Sequence, residues 1–114
     1  MIAVIFEVQP RAGHEQRYFE IAAGLLSVLQ QIDGFISVER FESLSQEGRY
    51  LSLSFWRDED AVRQWRNEAT HRAGQREGRN AVFAHYRLRV ATVLRDYGMA
   101  DREQAPGDSL AHLG

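Results

Sequence analysis

Residues 54–75, SFWRDEDAVRQWRNEATHRAGQ, hold the densest set of side chains in this sequence able to stack on, bind or deprotonate a small molecule. Trp56 and Trp65 each offer a large rigid aromatic face and one N–H donor. His71 is the leading acid–base candidate, because an ordinary imidazole titrates near neutrality, at about 6.5. Each has a plainer reading too. Trp65 reads as a core anchor or as a stacking platform for a planar ligand, and Trp56 carries the same pair of readings. His71 reads as a proton-handling group or as a solvent-facing or capping histidine. On an unbroken helix Trp65 and His71 stand ~120° apart, so they share a cavity only around its rim, or if the helix bends near residues 67–70. His85 could face the same space, whereas His14 and His112 fall in a turn and a tail and read as incidental.

Other chemistries lack their residues. Glu68 and His71 form one Glu-x-x-His pair, where a di-iron bundle needs two such pairs and further carboxylates. There is no three-histidine cluster, helical His-x-x-x-His, phosphate-cradling glycine motif, flavin or nicotinamide fingerprint, or defensible Ser/His/Asp set. The absence of cysteine removes thiolate metal sites and thiol catalysis, and suits a reducing cytoplasm. A net charge of −2 with interspersed signs leaves no basic footprint for nucleic acid. No apolar run reaches the ~20 residues of a membrane span, and the start MIAVIFEV lacks the charged segment of a signal peptide. The expectation is a soluble cytoplasmic domain with no metal.

The 114 residues suit one domain with a real core. Residues 2–8 are a short β-branched apolar run, a buried strand ended by Pro10. Residues 14–32 change to helical spacing, with Tyr18, Ile21, Leu25 and Leu29 on one stripe, and Asp33-Gly34 stops them. Gly24 interrupts this helix, which a close approach to another backbone would explain. Residues 35–43 and 49–56 read as strands around a glycine-containing hairpin connection. Asp58 then caps a second helix, with Glu59 and Asp60 at the positive end of its dipole. Gly74 and Gly78 weaken its later turns, and residues 78–84 form a short turn or irregular link. Residues 85–97 make the last strand. The domain spans residues 1–98, and residues 99–114 are a polar, mobile tail.

The order strand, helix, strand, strand, helix, strand specifies an α+β, ferredoxin-like βαββαβ fold with a four-stranded antiparallel sheet. Ile2, Val4, Phe6 and Val8 are placed on one face with Leu51, Leu53, Phe55, Leu88 and Val90. Ile5, Phe41, Tyr50 and Trp56 are placed on the other, with Glu7, Ser52, Ser54, Arg87 and Arg89. Leaving either face in water would exceed the apolar patch a monomer tolerates, so a sheet-to-sheet homodimer is expected. Glu7 pairs with Arg87 or Arg89, either as a structural ion pair or as the polar wall of a cavity.

LSLSFWRDEDAVRQW, followed by His71 and YRLRVATVLRDYG and preceded by IDGFISVERFES, resembles the antibiotic biosynthesis monooxygenase domain family over residues 2–98. The resemblance implies a dimeric α+β barrel with a ligand cavity between helices and sheet. It also implies oxygenation of a small planar aromatic, polyphenolic or quinol substrate by molecular oxygen, without metal or flavin. On that basis Trp65, His71 and Arg89 are the expected catalytic residues: Trp65 stacks or hydrogen-bonds, His71 handles protons and Arg89 stabilises an oxyanion. Glu7, Trp56, Asn67, Phe83 and Tyr86 are the expected substrate-binding residues. A haem-degrading branch of the family uses a first-strand asparagine, a second-helix tryptophan and a histidine ten residues later. Trp65 matches the tryptophan, but Glu7 and Gln75 occupy the other two positions, so haem is the disfavoured cofactor and none is expected. A non-catalytic dimeric small-molecule-binding or stress-associated protein is the third reading.

Overall fold

In the computed structural model, which describes residues 1–112, the elements follow in the expected order. They are β1 (Ile2–Pro10), α1 (Glu15–Leu29), β2 (Phe35–Glu42), β3 (Tyr50–Trp56), α2 (Glu59–Arg66), α3 (Ala69–Glu77), a π-helical turn (Gly78–Val82), β4 (Phe83–Thr92) and α4 (Gly107–Ala111). The four strands form one sheet in the order β2-β3-β1-β4, every pair antiparallel. The first and last strands are therefore neighbours, as the ferredoxin-like arrangement requires. None of the described helices is long and apolar enough to cross a membrane.

Local chemistry sets several boundaries. Asp58 accepts the Ala61 backbone N–H at 3.0 Å and starts α2. Gly34, at φ +92°, closes the turn after α1, where a Cβ would also come within 2.8 Å of the Ala61 methyl. Only glycine meets both demands without strain. At Gly24 a Cβ would meet nothing within 4 Å, so no backbone approach explains that glycine. The close approach is at Gly74 of α3, where a Cβ would lie 3.2 Å from Ile21 and 3.8 Å from Leu25 of α1.

Two expectations change. The second helix is two helices, with Asn67 ending α2 and Glu68 in an extended conformation (ψ 134°) before α3. The two sheet faces are also composed differently. β1 pairs with β3 as Ile2↔Trp56, Val4↔Ser54, Phe6↔Ser52 and Val8↔Tyr50. Directly opposed residues share a face, so Trp56, Ser54 and Tyr50 lie with Ile2 and Val8 on the helix side. Leu51, Leu53 and Phe55 lie with Ile5 and Glu7 on the other. On β4, Tyr86, Leu88 and Val90 oppose Val8, Phe6 and Val4, again on the helix side. In β2 the register shifts between Phe35 and Ser37, so Phe35 and Val38 both pack toward the helices despite their odd spacing.

The helix-side core is two clusters rather than one. Ile2, Leu29, Trp56, Ala61 and Val62 form the first. Val8, Tyr18 and Val82 form the second, with Phe6, Phe19, Tyr50 and Phe83 packed around them. With α1, α2 and α3 packed on one side of the sheet, the molecule is a slab 51 × 34 × 19 Å. The face away from those helices carries Ile5, Leu51, Leu53 and Phe55, each partly buried, and Phe41 stands exposed beside them.

β4 ends at Thr92, short of the expected Tyr97. Beyond it Val93 still donates to the Met1 carbonyl at 3.0 Å. The chain then turns on itself through Gly98 N–H to Asp101 O, 2.7 Å, and Asp96 N–H to Gln104 Oε1, 2.8 Å, before α4. The last two residues of the expected tail, 113–114, lie outside the described residues.

Candidate functional site

Trp56 ends β3 on the helix side and is fully buried. Its indole N–H donates to the Ser54 hydroxyl at 2.9 Å, so the ring is held by a neighbour two residues back on the same strand face. Phe35 meets it edge-on with centroids 5.2 Å apart, and Trp65 lies over it in an offset stack at 6.3 Å and 29°. This burial decides between the two readings of Trp56: it is a core anchor and the base of a stack, with no face left for a ligand.

His71 continues the column. Its imidazole lies on Trp65 with centroids 4.0 Å apart and planes 16° from parallel. An unbroken helix would have turned the two residues well apart, so the contact exists because the helix breaks at Asn67 and Glu68. Glu68 drives the restart: its carboxylate accepts the His71 backbone N–H at 2.8 Å and caps α3. That bond holds the Glu68 carboxyl below its usual range.

The break also exposes the Trp65 carbonyl, one of the C-terminal acceptors a helix leaves unpaired. Glu68 N–H takes it at 3.1 Å, and His71 Nδ1 lies 2.9 Å from the same oxygen. A carbonyl only accepts, so Nδ1 carries the proton and the lone pair of the neutral ring is on Nε2. Burial disfavours the imidazolium and lowers the His71 pKa from its ordinary value, against the opposing pull of the Trp65 carbonyl and Glu68. The arrangement is a neutral, oriented imidazole with a basic nitrogen, stacked on an indole: the parts of a general base beside a platform.

The remaining expected site residues are not all brought here. Glu7 and Arg89 lie on the opposite face of the sheet, because β1–β3 and β1–β4 register puts them in line with Leu51 and Ile5 rather than with Trp56. Glu7 accepts from Arg49 Nη2 at 2.7 Å and from Arg89 Nη1 at 3.2 Å. The Arg49 bond, with the nearby Arg89 charge, holds the Glu7 carboxyl below its usual range. Of the two expected partners, Arg87 and Arg89, Glu7 takes Arg89, while a single pocket walled by Glu7, Trp56, Trp65, His71 and Arg89 is not present. Asn67 is tied up at the helix junction, donating to the Arg63 carbonyl at 3.0 Å and accepting from Arg72 at 2.6 Å. Phe83 and Tyr86 pack together near the other end of the sheet, in contact with Phe6. His85 opposes Gln9 and does not join the stack.

Arg49, Ser54 and Glu68 are residues the sequence reading missed in these roles. Ser54 left a signal, a hydroxyl two residues before a tryptophan on one strand. Arg49 left none, since its partner Glu7 is 42 residues away. Among the described residues no group of three or more His, Asp or Glu side chains could hold a metal ion. The donor set of the haem branch is not assembled either. Gln75 offers a carboxamide where that branch has an imidazole, and Glu7 is across the sheet.

Comparison with known proteins bears on this geometry. The family model for antibiotic biosynthesis monooxygenase matches residues 1–77. A jasmonate monooxygenase, ABM, from Pyricularia oryzae is 48% identical over 93 residues, which is 82% of this chain and 43% of that protein. The uncharacterised protein YqjZ of Bacillus subtilis is 32% identical over 93 residues, covering 82% of this chain and 79% of YqjZ. The chain thus spans less than half the length of the Pyricularia relative. Among solved structures, SnoaB of Streptomyces nogalater, a cofactor-independent oxygenase, superposes with a TM-score of 0.73 over 83% of this chain and 94% of its own. At 14% identity that likeness is one of fold.

Proposed function

The chain belongs to the antibiotic biosynthesis monooxygenase family, and on that premise we propose that it oxygenates a small, flat, enolisable or quinol-type ring with molecular oxygen and no cofactor of its own. The observation that carries this reading is the Trp65–His71 stack, with Nδ1 tied to the Trp65 carbonyl and Nε2 free to accept a proton. A ring laid beside the stack loses a C–H proton to Nε2, leaving a carbanion delocalised over the substrate. The carbanion reduces oxygen and binds it as a peroxide, which then loses water across the second C–H bond. In sum a CH2 group and O2 become C=O and H2O, and all four electrons come from the substrate. The protein orients the ring, excludes water and manages the proton. In this reading Arg89 and Glu7 serve the sheet face, and Phe83 and Tyr86 the far end of the substrate.

A second substrate class is supported by the 48% identity to a jasmonate monooxygenase. A jasmonate is a cyclopentanone carboxylic acid, so it too offers acidic C–H bonds next to a carbonyl. We also infer a homodimer closed sheet to sheet. Its support is the apolar sheet face that carries Ile5, Leu51, Leu53 and Phe55 with Phe41 exposed beside them, the kind of surface that marks an interface. The absence of cysteine supports a reducing, cytoplasmic setting.

The test is oxygen uptake with an anthrone such as dithranol in the presence of a chelator. Uptake is expected to fall by roughly 100-fold or more in His71→Ala, the scale of a general base, and to weaken in Trp65→Phe. Unchanged uptake in both variants would remove the stack from the mechanism. A Soret band in the purified protein would overturn the cofactor-free reading in favour of haem, and binding without uptake would favour the non-catalytic one.

A further inference from the structure

α3 and β4 diverge from a common corner. The π-helical turn 78–82 joins them, and the ring of Phe83 sits so close under Gly78 that a Cβ there would come within 2.4 Å of it. From that corner α3 leans on α1 and on the turn itself rather than on β4. The helix-side surface of β4 is consequently bare: Tyr86, Leu88 and Val90 are 41%, 46% and 46% exposed although their face is the one the helices cover elsewhere. Tyr86 to Val90 spans ~13 Å of strand. The stack lies toward the far end of this strip, since Trp56 opposes Ile2 and Ile2 opposes Thr92.

The corner end has a different chemistry. A hollow of about 280 Å³ there is lined by Arg79, Phe83, Ala84, His85 and Tyr86. Arg11 lies alongside, its Nε donating to the Phe83 carbonyl at 3.3 Å. The nearby carboxylate, Glu77, is taken by Arg17. Among the described residues neither Arg79 nor Arg11 makes an ion pair. A cationic corner in a chain of net charge −2, joined by an apolar strip to a ring stack, is a length gauge for a ligand with one charged end.

We propose that the wedge between α3 and β4 binds an amphipathic carboxylate. Its flat end lies toward Trp65 and His71, its apolar body on Val90 and Leu88, and its carboxylate at Arg79 with Arg11 alongside, while His85, opposite Gln9, stands on the other face of the sheet. A guanidinium is the side chain best shaped for a carboxylate, and that of Arg11 adds a second cation. This rests on the wedge being the binding site of the proposed oxygenase and extends it by naming the group that sets substrate orientation. It also predicts that esters and neutral polyphenols bind less tightly than acids of the same size.

The test needs no turnover, so it is separable from the oxygenase reading. Phenylhexanoate and its methyl ester are titrated into the full chain at low ionic strength, following tryptophan fluorescence. The acid should bind about tenfold more tightly than the ester, the scale of one effective charge-assisted contact. In the double variant Arg11→Ala, Arg79→Ala the two should bind equally, at the wild-type affinity for the ester. Arg79→Glu should reverse the preference toward phenylhexylamine. Both positions are exposed, and unchanged circular dichroism and Tm verify the fold of the variants. Equal wild-type affinity for acid and ester, no binding of either, or a preference that survives the double variant would each overturn the proposal. Loss of oxygen uptake with the acid preference intact would instead count against the oxygenase reading alone.

Discussion

Replacing Ser54 by alanine tests whether the stack rests on a single buried hydrogen bond. The indole N–H of Trp56 has the Ser54 hydroxyl as its partner at 2.9 Å, and both residues are buried. Among the described residues no buried side-chain nitrogen or oxygen lacks a partner, so this bond is part of a fully satisfied core. Ser54→Ala leaves the N–H in place and removes its acceptor, which costs ~1–3 kcal/mol for a buried donor. In a domain of this size each kcal/mol moves Tm by ~4–8 °C, so a fall of roughly 4–24 °C is expected. Trp56→Phe removes the donor as well. In that background Ser54→Ala should be close to neutral, giving a coupling of about 1 kcal/mol or more in a double-mutant cycle. The assay is urea unfolding followed by circular dichroism, with the four proteins analysed together. Because Trp56 supports Trp65, Ser54→Ala should also lower oxygen uptake more than His71-independent surface substitutions do. A neutral Ser54→Ala, or additive effects within ~0.5 kcal/mol, would refute the reasoning.

Burial of His71 carries a pH signature. With its folded pKa below the unfolded value near 6.5, the unfolded chain binds the proton first. Stability is then complete above about pH 6.5 and declines as pH falls toward the lower folded value. The Tm of wild type minus that of His71→Phe should show this decline, and a pH-independent difference would count against a buried neutral imidazole. Two glycines should respond oppositely to alanine. Gly24→Ala, with open space around its Cβ, should stabilise α1 by ~0.5–1 kcal/mol. Gly78→Ala should destabilise by a net ~1–2 kcal/mol, as overpacking against Phe83 exceeds the backbone gain. Equal signs in chemical denaturation would show that the corner is looser than the Gly78–Phe83 contact implies. Leu53→Glu, on the sheet face away from the helices, should convert a dimer to a monomer by light scattering, and a wild-type monomer at micromolar concentration would remove the sheet-to-sheet inference.

By itself the sequence determined what depends on short-range chemistry. The change from period two to helical spacing after Pro10 announced α1, Asp58 announced the cap of α2, and the order of elements specified the ferredoxin-like sheet and the neighbouring of β1 and β4. That order also brought Glu7 within reach of Arg87 or Arg89, and the structure selects Arg89. What the tertiary structure alone decided is which faces coincide and which rings meet. Alternation within a strand is local, but aligning Ile2 with Trp56 rather than with Phe55 depends on hydrogen bonds between segments 54 residues apart, and a one-residue difference exchanges the whole face. That exchange moved Glu7 and Arg89 away from the stack. The same holds for His71. Nothing in residues 59–77 forbids one continuous helix, and it is the extended Glu68, capping α3 while the Trp65 carbonyl takes the imidazole, that turns two residues on different helix faces into a stacked pair.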